Sequence, residues 1–416
     1  MSYTLRVGIS RTSRLAGLLF VCGFACDDPY LPEQKDPTAV GAYEVVVPAL
    51  TDVEGVDTQN ANNNLDVIAF DGRTYLAWRT APTHFASEST VMYVASEGAD
   101  GWRYEGEFAM GTDLREPRFL AIGDRLFLYF AVLGKDQFAF EPQGMMVTEY
   151  HGPGDWDEPE ELYEEGFIPW RTKVIDASAY MIGYVGGENI YETNGEPLRI
   201  HLLSTEDGRT LEPVVPGQPV VQEGGGSETD FVIMDDGSLV AVTRNEAGDE
   251  QFGFGSKICR AEAGDYGNWT CKSDLKKYDS PLVFRNGDDV WLVGRRNLTE
   301  SGNYDLEQDD LPLKEQAETY EIEYSFNPKR CALWRIDPVE LTATFAADLP
   351  SRGDTCFASY LPKSGNVVTI YNYSNELDGA DDCAQWPDDC ADIDWWVGQG
   401  QPTIIYRVDV DLGLLP

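Results

Sequence analysis

GSETDFVIMDDGSLVAVTRNE, from Gly226 to Glu246, reads as two apolar strands around a tight Asp235-Asp236-Gly237 turn. Gly237 can supply the positive φ that a three-residue hairpin loop requires, and such a loop fixes the register of the strands it joins. In that register Glu228 stands opposite Arg244, so an acid and a base meet at one end of the hairpin.

The same grammar recurs in VIAFDGRTYLAWR (Val67 to Arg79), FLAIGDRLFLYF (Phe119 to Phe130), KVIDASAYMIGY (Lys173 to Tyr184), PLVFRNGDDVWLVGRR (Pro281 to Arg296) and YLPKSGNVVTIYNY (Tyr360 to Tyr373). The copies lie roughly fifty to eighty residues apart, too far for a solenoid and suited to four-stranded blades. The expected fold is all-β: a six-bladed β-propeller of four-stranded antiparallel blades. Composition agrees, with 40 Gly, 23 Pro and 12% aromatic residues in 416, and no long amphipathic helical period. A formal charge of −41 excludes nucleic acid as a partner, because a polyanion would be repelled. It suits solubility, or acidic loops that hold Ca²⁺.

Arg6, Arg11 and Arg14 precede the apolar run LAGLLFVCGFAC, which ends at Cys26 and is too short for a comfortable membrane span. Small Ala25 before Cys26 and Asp27-Asp28 after it resemble a bacterial lipobox. Residues 1–26 are therefore expected to be a lipoprotein-type signal with Cys26 as the modified residue. The protein is then expected in the cell envelope, bound to membrane through a lipid anchor only, or secreted. Residues 27–56 read as a polar tether followed by a first strand, AYEVVVPAL, that helps close the ring, and 57–416 as the propeller.

Beyond the signal stand Cys259, Cys271, Cys331, Cys356, Cys383 and Cys390, an even set that favours disulfides in an exported protein. Sequence leaves the connectivity open, and pairing by neighbourhood is the simplest choice. Three His and no CxxC argue against a zinc site. Two long connections, from Asn297 to Arg330 and from Tyr373 to Thr403, are placed to shape a binding surface on a rigid scaffold. The second carries Trp386, Trp395 and Trp396, and the Trp395-Trp396 pair suits either a sugar face or loop packing.

In a propeller the innermost strands converge on one axis, so residues that open each blade come together there. Those residues are Asp66, Glu116 with Arg118, Arg171 with Lys173, Glu228 with Asp230, Asp279 and Asp354, while Arg79, Arg244 and Arg296 end the second strands at the same rim. Charges beside buried strands need partners. The set therefore makes either a salt-bridged ring that fills the axis or a polar sugar pocket.

The hairpin, the sixfold repeat and STEDGRTLEP (Ser204 to Pro213) together resemble the sialidase superfamily of six-bladed propellers. STEDGRT is similar to an Asp box, the turn between a blade's outer strands, with Glu206 for the usual Asp and Leu211 for the usual Trp; ASEGADGW (Ala95 to Trp102) is similar to a more decayed copy. The resemblance implies that Glu228 holds the place of the glutamate that activates the nucleophile. It implies that Arg244, and Arg330 in NPKRCALWRID, hold places among three arginines that bind a substrate carboxylate. The chain departs from that pattern elsewhere. Asp66 stands near the place of the first arginine, Trp78-Arg79 where an acid/base aspartate is expected, and Thr355 nearest the place of the nucleophilic tyrosine.

The expected partner is a carbohydrate or glycoconjugate, bound by a monomer that needs no cofactor, with glycoside hydrolysis as the chemistry. A non-catalytic surface propeller binding glycan or protein is the alternative, and Ca²⁺ on the axial carboxylates is a third reading. Hydrolysis asks for two carboxyl groups, and Glu228 and Asp354 supply them, with Asp66, Glu116 or Asp279 as substitutes. Arg244 beside Glu228 should lower that acid's pKa and suit it to a base or orienting role, leaving proton donation to Asp354 or Asp279. His84, in the loop after Arg79, reads as a surface residue or one that faces the funnel.

Overall fold

The computed structural model describes residues 39–137, 139–190, 196–377 and 393–416. Cys26, Cys383, Cys390 and Trp386 lie outside them, so the expectations of a signal, a lipid anchor and a third disulfide fall outside the described residues.

The first strand, β1 (Val40–Val47), does not begin a blade. Blade one is the meander β2 (Ala61–Phe70), β3 (Arg73–Ala81), β4 (Val91–Gly98) and β5 (Gly101–Phe108). Blade two follows with β6 (Leu114–Ile122), β7 (Arg125–Leu133), β8 (Pro142–Gly152) and two short outer strands, β9 (Asp155–Trp156) and β10 (Glu160–Leu162). Blade three has β11 (Ile168–Ile175), β12 (Ser178–Val185), β13 (Leu198–Thr205), β14 (Glu212–Pro213) and β15 (Val220–Gly224). Blade four is β16 (Thr229–Ile233), β17 (Leu239–Asp249), β18 (Gly253–Ala261) and β19 (Trp269–Asp274), and blade five is β20 (Asp279–Asn286), β21 (Asp289–Asn297), β22 (Lys329–Asp337) and β23 (Thr342–Asp348). Blade six takes β24 (Ser359–Ser364), β25 (Val367–Asn375) and β26 (Thr403–Asp411) from the end of the chain and its outermost strand from β1. Pairing of β1 with β26, Glu44 opposite Arg407, closes the ring. Each blade is antiparallel, and the six-bladed propeller read from the repeats is the fold observed.

The organising hairpin forms as its sequence dictates. Gly237 adopts φ +79°, the Met234 N–H donates to the Ser238 carbonyl at 2.8 Å, and Asp236 Oδ1 accepts the N–H and hydroxyl of Ser238. Thr229 pairs with Thr243, which places Arg244 across from Glu228, and the Arg244 N–H donates to the Glu228 carbonyl at 2.8 Å. The STEDGRT turn joins β13 to β14 as an Asp box would, but Asp207 rather than Glu206 holds it. Its carboxylate accepts the N–H groups of Thr210 and Arg209 and the Thr210 hydroxyl, contacts that keep its pKa far below the usual range.

Apolar layers lie between neighbouring blades, which is why inner strands read as near-continuous hydrophobic runs. Tyr75, Ala77 and Val94 of blade one meet Phe119, Leu128 and Phe130 of blade two; Trp291 and Val293 of blade five meet Ile370, Tyr406 and Val408 of blade six. Cys259 and Cys271 sit directly opposite on β18 and β19 and are bonded, while Cys331–Cys356 ties β22 to the segment entering β24.

One element departs from the all-β expectation. The connection between β21 and β22 contains helix α1 (Leu313–Ser325). Its charged residues blur any amphipathic period, and it is fixed by two tyrosines one turn apart: Tyr320 and Tyr324 pack with Phe254 and Tyr304. A single turn, α2 (Trp395–Gly398), precedes β26 and is capped by Asp394, whose side chain accepts the Val397 N–H at 2.8 Å. Among the described residues no helix is long and apolar enough to cross a membrane.

Candidate functional site

Charged residues on the inner strands divide between two depths. Deeper along the axis they join blades. Asp66 accepts the Phe119 N–H at 2.8 Å and the Ser359 hydroxyl at 2.7 Å, linking blades one, two and six. Asp230 accepts the Val283 N–H at 2.6 Å and pairs with Lys173 at 2.7 Å, linking blades three, four and five. Arg171 donates to the Pro281 and Ala358 carbonyls, and Arg118 lies over the rings of Trp170 and Phe357. Asp66, Arg118, Arg171, Lys173 and Asp230 thus fill the axis below the cavity and bind protein groups, with Arg118 Nε alone of their buried nitrogens and oxygens lacking a hydrogen-bond partner among the described residues.

One pleat nearer the strand beginnings, a cavity of about 500 Å³ opens, and Glu116, Glu228, Arg244 and Asp279 line it. Here the inner strands are irregular. Register shifts fall between Asn63 and Leu65 on β2, Arg115 and Arg118 on β6, and Asp279 and Leu282 on β20. Within them Asn64, Glu116 and Ser280 adopt φ of 43°, 54° and 54°, a conformation costly for residues other than glycine. Such bulges re-aim side chains, and all three of these residues line the cavity.

Arg244 is the centre of its charge network. Nη1 lies 3.1 Å from Glu228 Oε1, 3.1 Å from Glu246 Oε2 and 3.8 Å from Asp279 Oδ1. Asp279 Oδ2 also receives Arg295 Nη1 at 2.8 Å and the Tyr324 hydroxyl at 2.7 Å, and Lys277 lies 3.8 Å away. Lys277 in turn reaches Glu246 and Glu321. An internal carboxylate, Asp279, therefore already occupies the space between Arg244 and Arg295. Glu246 Oε2 and Asp279 Oδ1 are buried and held by these cations as ion pairs, without an aligned hydrogen bond among the described residues.

Burial pushes the Glu228 carboxyl up to about 7; Arg244 opposes this, while Asp279 and Glu116 add to it. Burial would raise Asp279 as well, but Lys277, Arg295 and Arg244 outweigh it and hold that group down to about 2. The expected ordering is reversed: Glu228 carries the proton near neutrality and Asp279 is the carboxylate. One adjacent guanidinium is too little for Glu228, whereas Asp279 has three cations and a phenol.

Two further clusters complete the wall. The His84 Nδ1 lies 2.7 Å from Asp354 Oδ2, and the Tyr373 hydroxyl donates to Asp354 Oδ1 at 2.8 Å, so Asp354 sits wholly buried behind them rather than on the cavity. At the mouth, Ile322 and Phe326 from the end of α1 and Trp396 from α2 are 59%, 57% and 41% exposed and form an apolar rim. Trp395 packs below, under the Arg295 guanidinium at 4.9 Å.

Three arginines lie elsewhere than expected. Arg79 is fully buried, pairs with Asp113 at 2.8 Å and donates to the Thr83 and Phe85 carbonyls, so it holds the 82–90 loop. Arg296 turns away from the cavity to Asp348, because strand residues alternate and its neighbour Arg295 takes the inward position. Arg330 is buried opposite Arg296 on the β21–β22 ladder, outside the cavity. Thr355 is likewise buried and offers its carbonyl to Arg295; the phenols at the site are instead Tyr324 of α1, on Asp279, and Tyr373 of the second strand of blade six, on Asp354.

Arg115, Glu246, Lys277, Arg295, Glu321 and Tyr324 belong to the site but were not singled out from sequence. Glu246 is legible, two residues from Arg244 on the same face of β17, and Lys277 stands two residues before Asp279 in the segment entering β20. Arg295 follows from strand alternation with Arg296, whereas Arg115 depends on a bulge and Glu321 and Tyr324 on α1, which leave no pattern. Among the described residues no group of three or more His, Cys, Asp or Glu side chains is placed to hold a metal ion.

Fold and site define a six-bladed propeller with an arginine- and carboxylate-lined axial pocket. Its fold resembles solved sialidases. Phage phi92 endosialidase superposes with a TM-score of 0.53 at 11% identity, over 89% of this chain and 69% of that one. Trypanosoma rangeli sialidase in complex with sialic acid gives 0.52 at 11% identity over 92% and 58%, and the same enzyme with the inhibitor DANA gives 0.55 at 12% identity over 85% and 55%. The chain thus spans a little over half the length of the trypanosomal enzyme. No protein-family profile matches the chain, and no curated protein matches it by sequence.

Proposed function

We propose that the protein is a carbohydrate-active propeller that cleaves a glycosidic bond in the axial pocket, with Glu228 as proton donor. The observation that carries this reading is one cavity joining a buried carboxyl group, a network of cations and carboxylates beside it, and an exposed aromatic rim. Sugars need such a mixture, since their hydroxyls seek polar partners and their C–H faces seek apolar surface. The internal carboxylate between Arg244 and Arg295 favours a sugar without a carboxylate of its own, although the solved sialidases share the fold. Two disulfides among the described residues support an oxidising, exported setting.

A panel of neutral aryl glycosides and sialosides tests the proposal. Turnover of a neutral glycoside is expected, with Glu228→Gln lowering kcat by about 100-fold or more. Because Glu228 holds its proton below about 7 and loses it above, kcat/KM should fall as pH rises through neutrality. A second reading, recognition without turnover, is favoured by one observation: Asp279, the obvious second carboxylate, is enclosed by its own chain's donors. Glycan binding that survives Glu228→Gln, with no sugar released by the unaltered protein, would decide for it.

A further inference from the structure

The hydrolytic reading lacks a group to activate water, and the wall facing Glu228 holds an unused one. In a ring of six blades, blade one lies across from blade four. Glu228 enters from blade four, and the loop at 82–90 brings His84 from blade one.

His84 is unusually well placed for a loop residue. Its N–H donates to the Gln399 carbonyl at 3.0 Å, and its own carbonyl accepts from Arg115 at 2.6 Å. The Arg79 guanidinium holds the neighbouring carbonyls of Thr83 and Phe85. The backbone that carries the imidazole is therefore fixed from three sides. Its Nδ1 is 2.7 Å from Asp354, whose side chain is fully buried and whose second oxygen is taken by Tyr373. The Asp354 N–H is bound in turn to Asn375 at 2.7 Å. Asn63 Nδ2 also lies 3.4 Å from Nδ1. No hydrogen-bond partner among the described residues meets Nε2, and the ring lines the cavity with 14% of its side chain exposed.

A carboxylate on Nδ1 keeps that proton in place and leaves Nε2 as an acceptor. We propose that His84 is the second catalytic group of the pocket, taking a proton through Nε2 from a water that attacks the anomeric carbon, with Asp354 and Tyr373 as its positioning residues. This rests on the hydrolytic reading. As the water oxygen bonds to the anomeric carbon, its proton passes to Nε2. The bond from that carbon to the leaving oxygen breaks with its electron pair on oxygen, and that oxygen takes the proton of Glu228. The imidazolium then releases a proton to solvent, and Glu228 regains one. Acid and base on opposite walls, with water between, give inversion at the anomeric carbon.

The groups that face the imidazole are Asp354 and Tyr373 from blade six, Arg79 from its own blade and Arg115 from blade two. Burial lowers its pKa, Asp354 opposes that, and the two arginines reinforce it. The ring is thus neutral, ready to accept, at the pH where Glu228 still holds its proton.

The test measures turnover, product anomer and imidazole NMR on the full chain, using whichever neutral aryl glycoside the panel identifies. His84→Gln should lower kcat by about 100-fold or more while KM changes little, and the first-formed sugar should have the inverted configuration. In the unaltered protein the His84 imidazole should carry its proton on Nδ1. Adding the reducing sugar product should shift its Nε2 signal. In Asp354→Asn the Nδ1 tautomer should be lost and the acidic limb of the pH profile should move. Full turnover in His84→Gln alongside a dead Glu228→Gln overturns the role of His84 and leaves the donor intact. No turnover of any glycoside together with no imidazole shift overturns both. A retained configuration also overturns it, since the proposed water attack requires inversion.

Discussion

Glu228 and Asp279 share Arg244, yet burial wins at the first and charge at the second. The sequence places Glu228 opposite Arg244 correctly, because hairpin register follows from the turn. It does not reveal that Lys277 and Arg295, both from Asp279's own blade, converge on that carboxylate. Lys277 is the buried cation on which this balance depends, facing Glu246, Asp279 and Glu321. Lys277→Met should cost about 3–5 kcal/mol of stability at pH 7 by urea unfolding, since it leaves carboxylates buried without a partner. A loss under 1 kcal/mol would mean that those acids are protonated. His201 offers a pH test. Burial lowers its pKa from 6.5 to about 4, helped by Arg199. Between those values the unfolded chain binds a proton that the native chain refuses, so stability falls as pH drops through the window. His201→Gln should flatten that fall by about 2 kcal/mol, read as the difference between unfolding curves at pH 7 and pH 4.5.

Elements were legible where side chains repeat and obscure where backbone geometry alone decides. The six apolar hairpins are visible because each inner pair must bury both faces. The bulges at Asn64, Glu116 and Ser280 are invisible, since none of these residues is the glycine that a positive φ would announce. That is why Glu116 and Arg118, which the repeat places together at the axis, part at the bulge, with Arg115 and Glu116 lining the cavity and Arg118 lying below it. Helix α1 was missed for a different reason, its aromatic anchors being spaced for a narrow contact rather than a broad apolar face. The turn of the organising hairpin carries its own prediction. A Cβ on Gly237 would stand 3.0 Å from the Ala263 Cβ, at φ +79°. Gly237→Ala should destabilise by about 1–2 kcal/mol, and thermal unfolding unchanged from the parent would show that the loop has another conformation open to it.

At the scale of the whole ring, blades are held by apolar layers, by the axial staples and, among the described residues, by one cross-blade disulfide. Cys331–Cys356 spans a sequence separation of 25 between blades five and six. Replacing both with Ala should cost about 2–4 kcal/mol in urea unfolding, and an equal loss in the parent under reducing conditions would assign the effect to the bond itself. Pairing by neighbourhood anticipated both observed bridges, because strands adjacent in a blade or in neighbouring blades are close in sequence. The pairing of β1 with β26 is the opposite case, Glu44 meeting Arg407 across almost the entire chain. A ribosome must finish nearly all of the polypeptide before that partner exists, so no stable intermediate with a sealed circle is available during synthesis. Ring closure is therefore late in synthesis, and until it happens two strand edges stay bare, the kind of edge that pairs with other molecules.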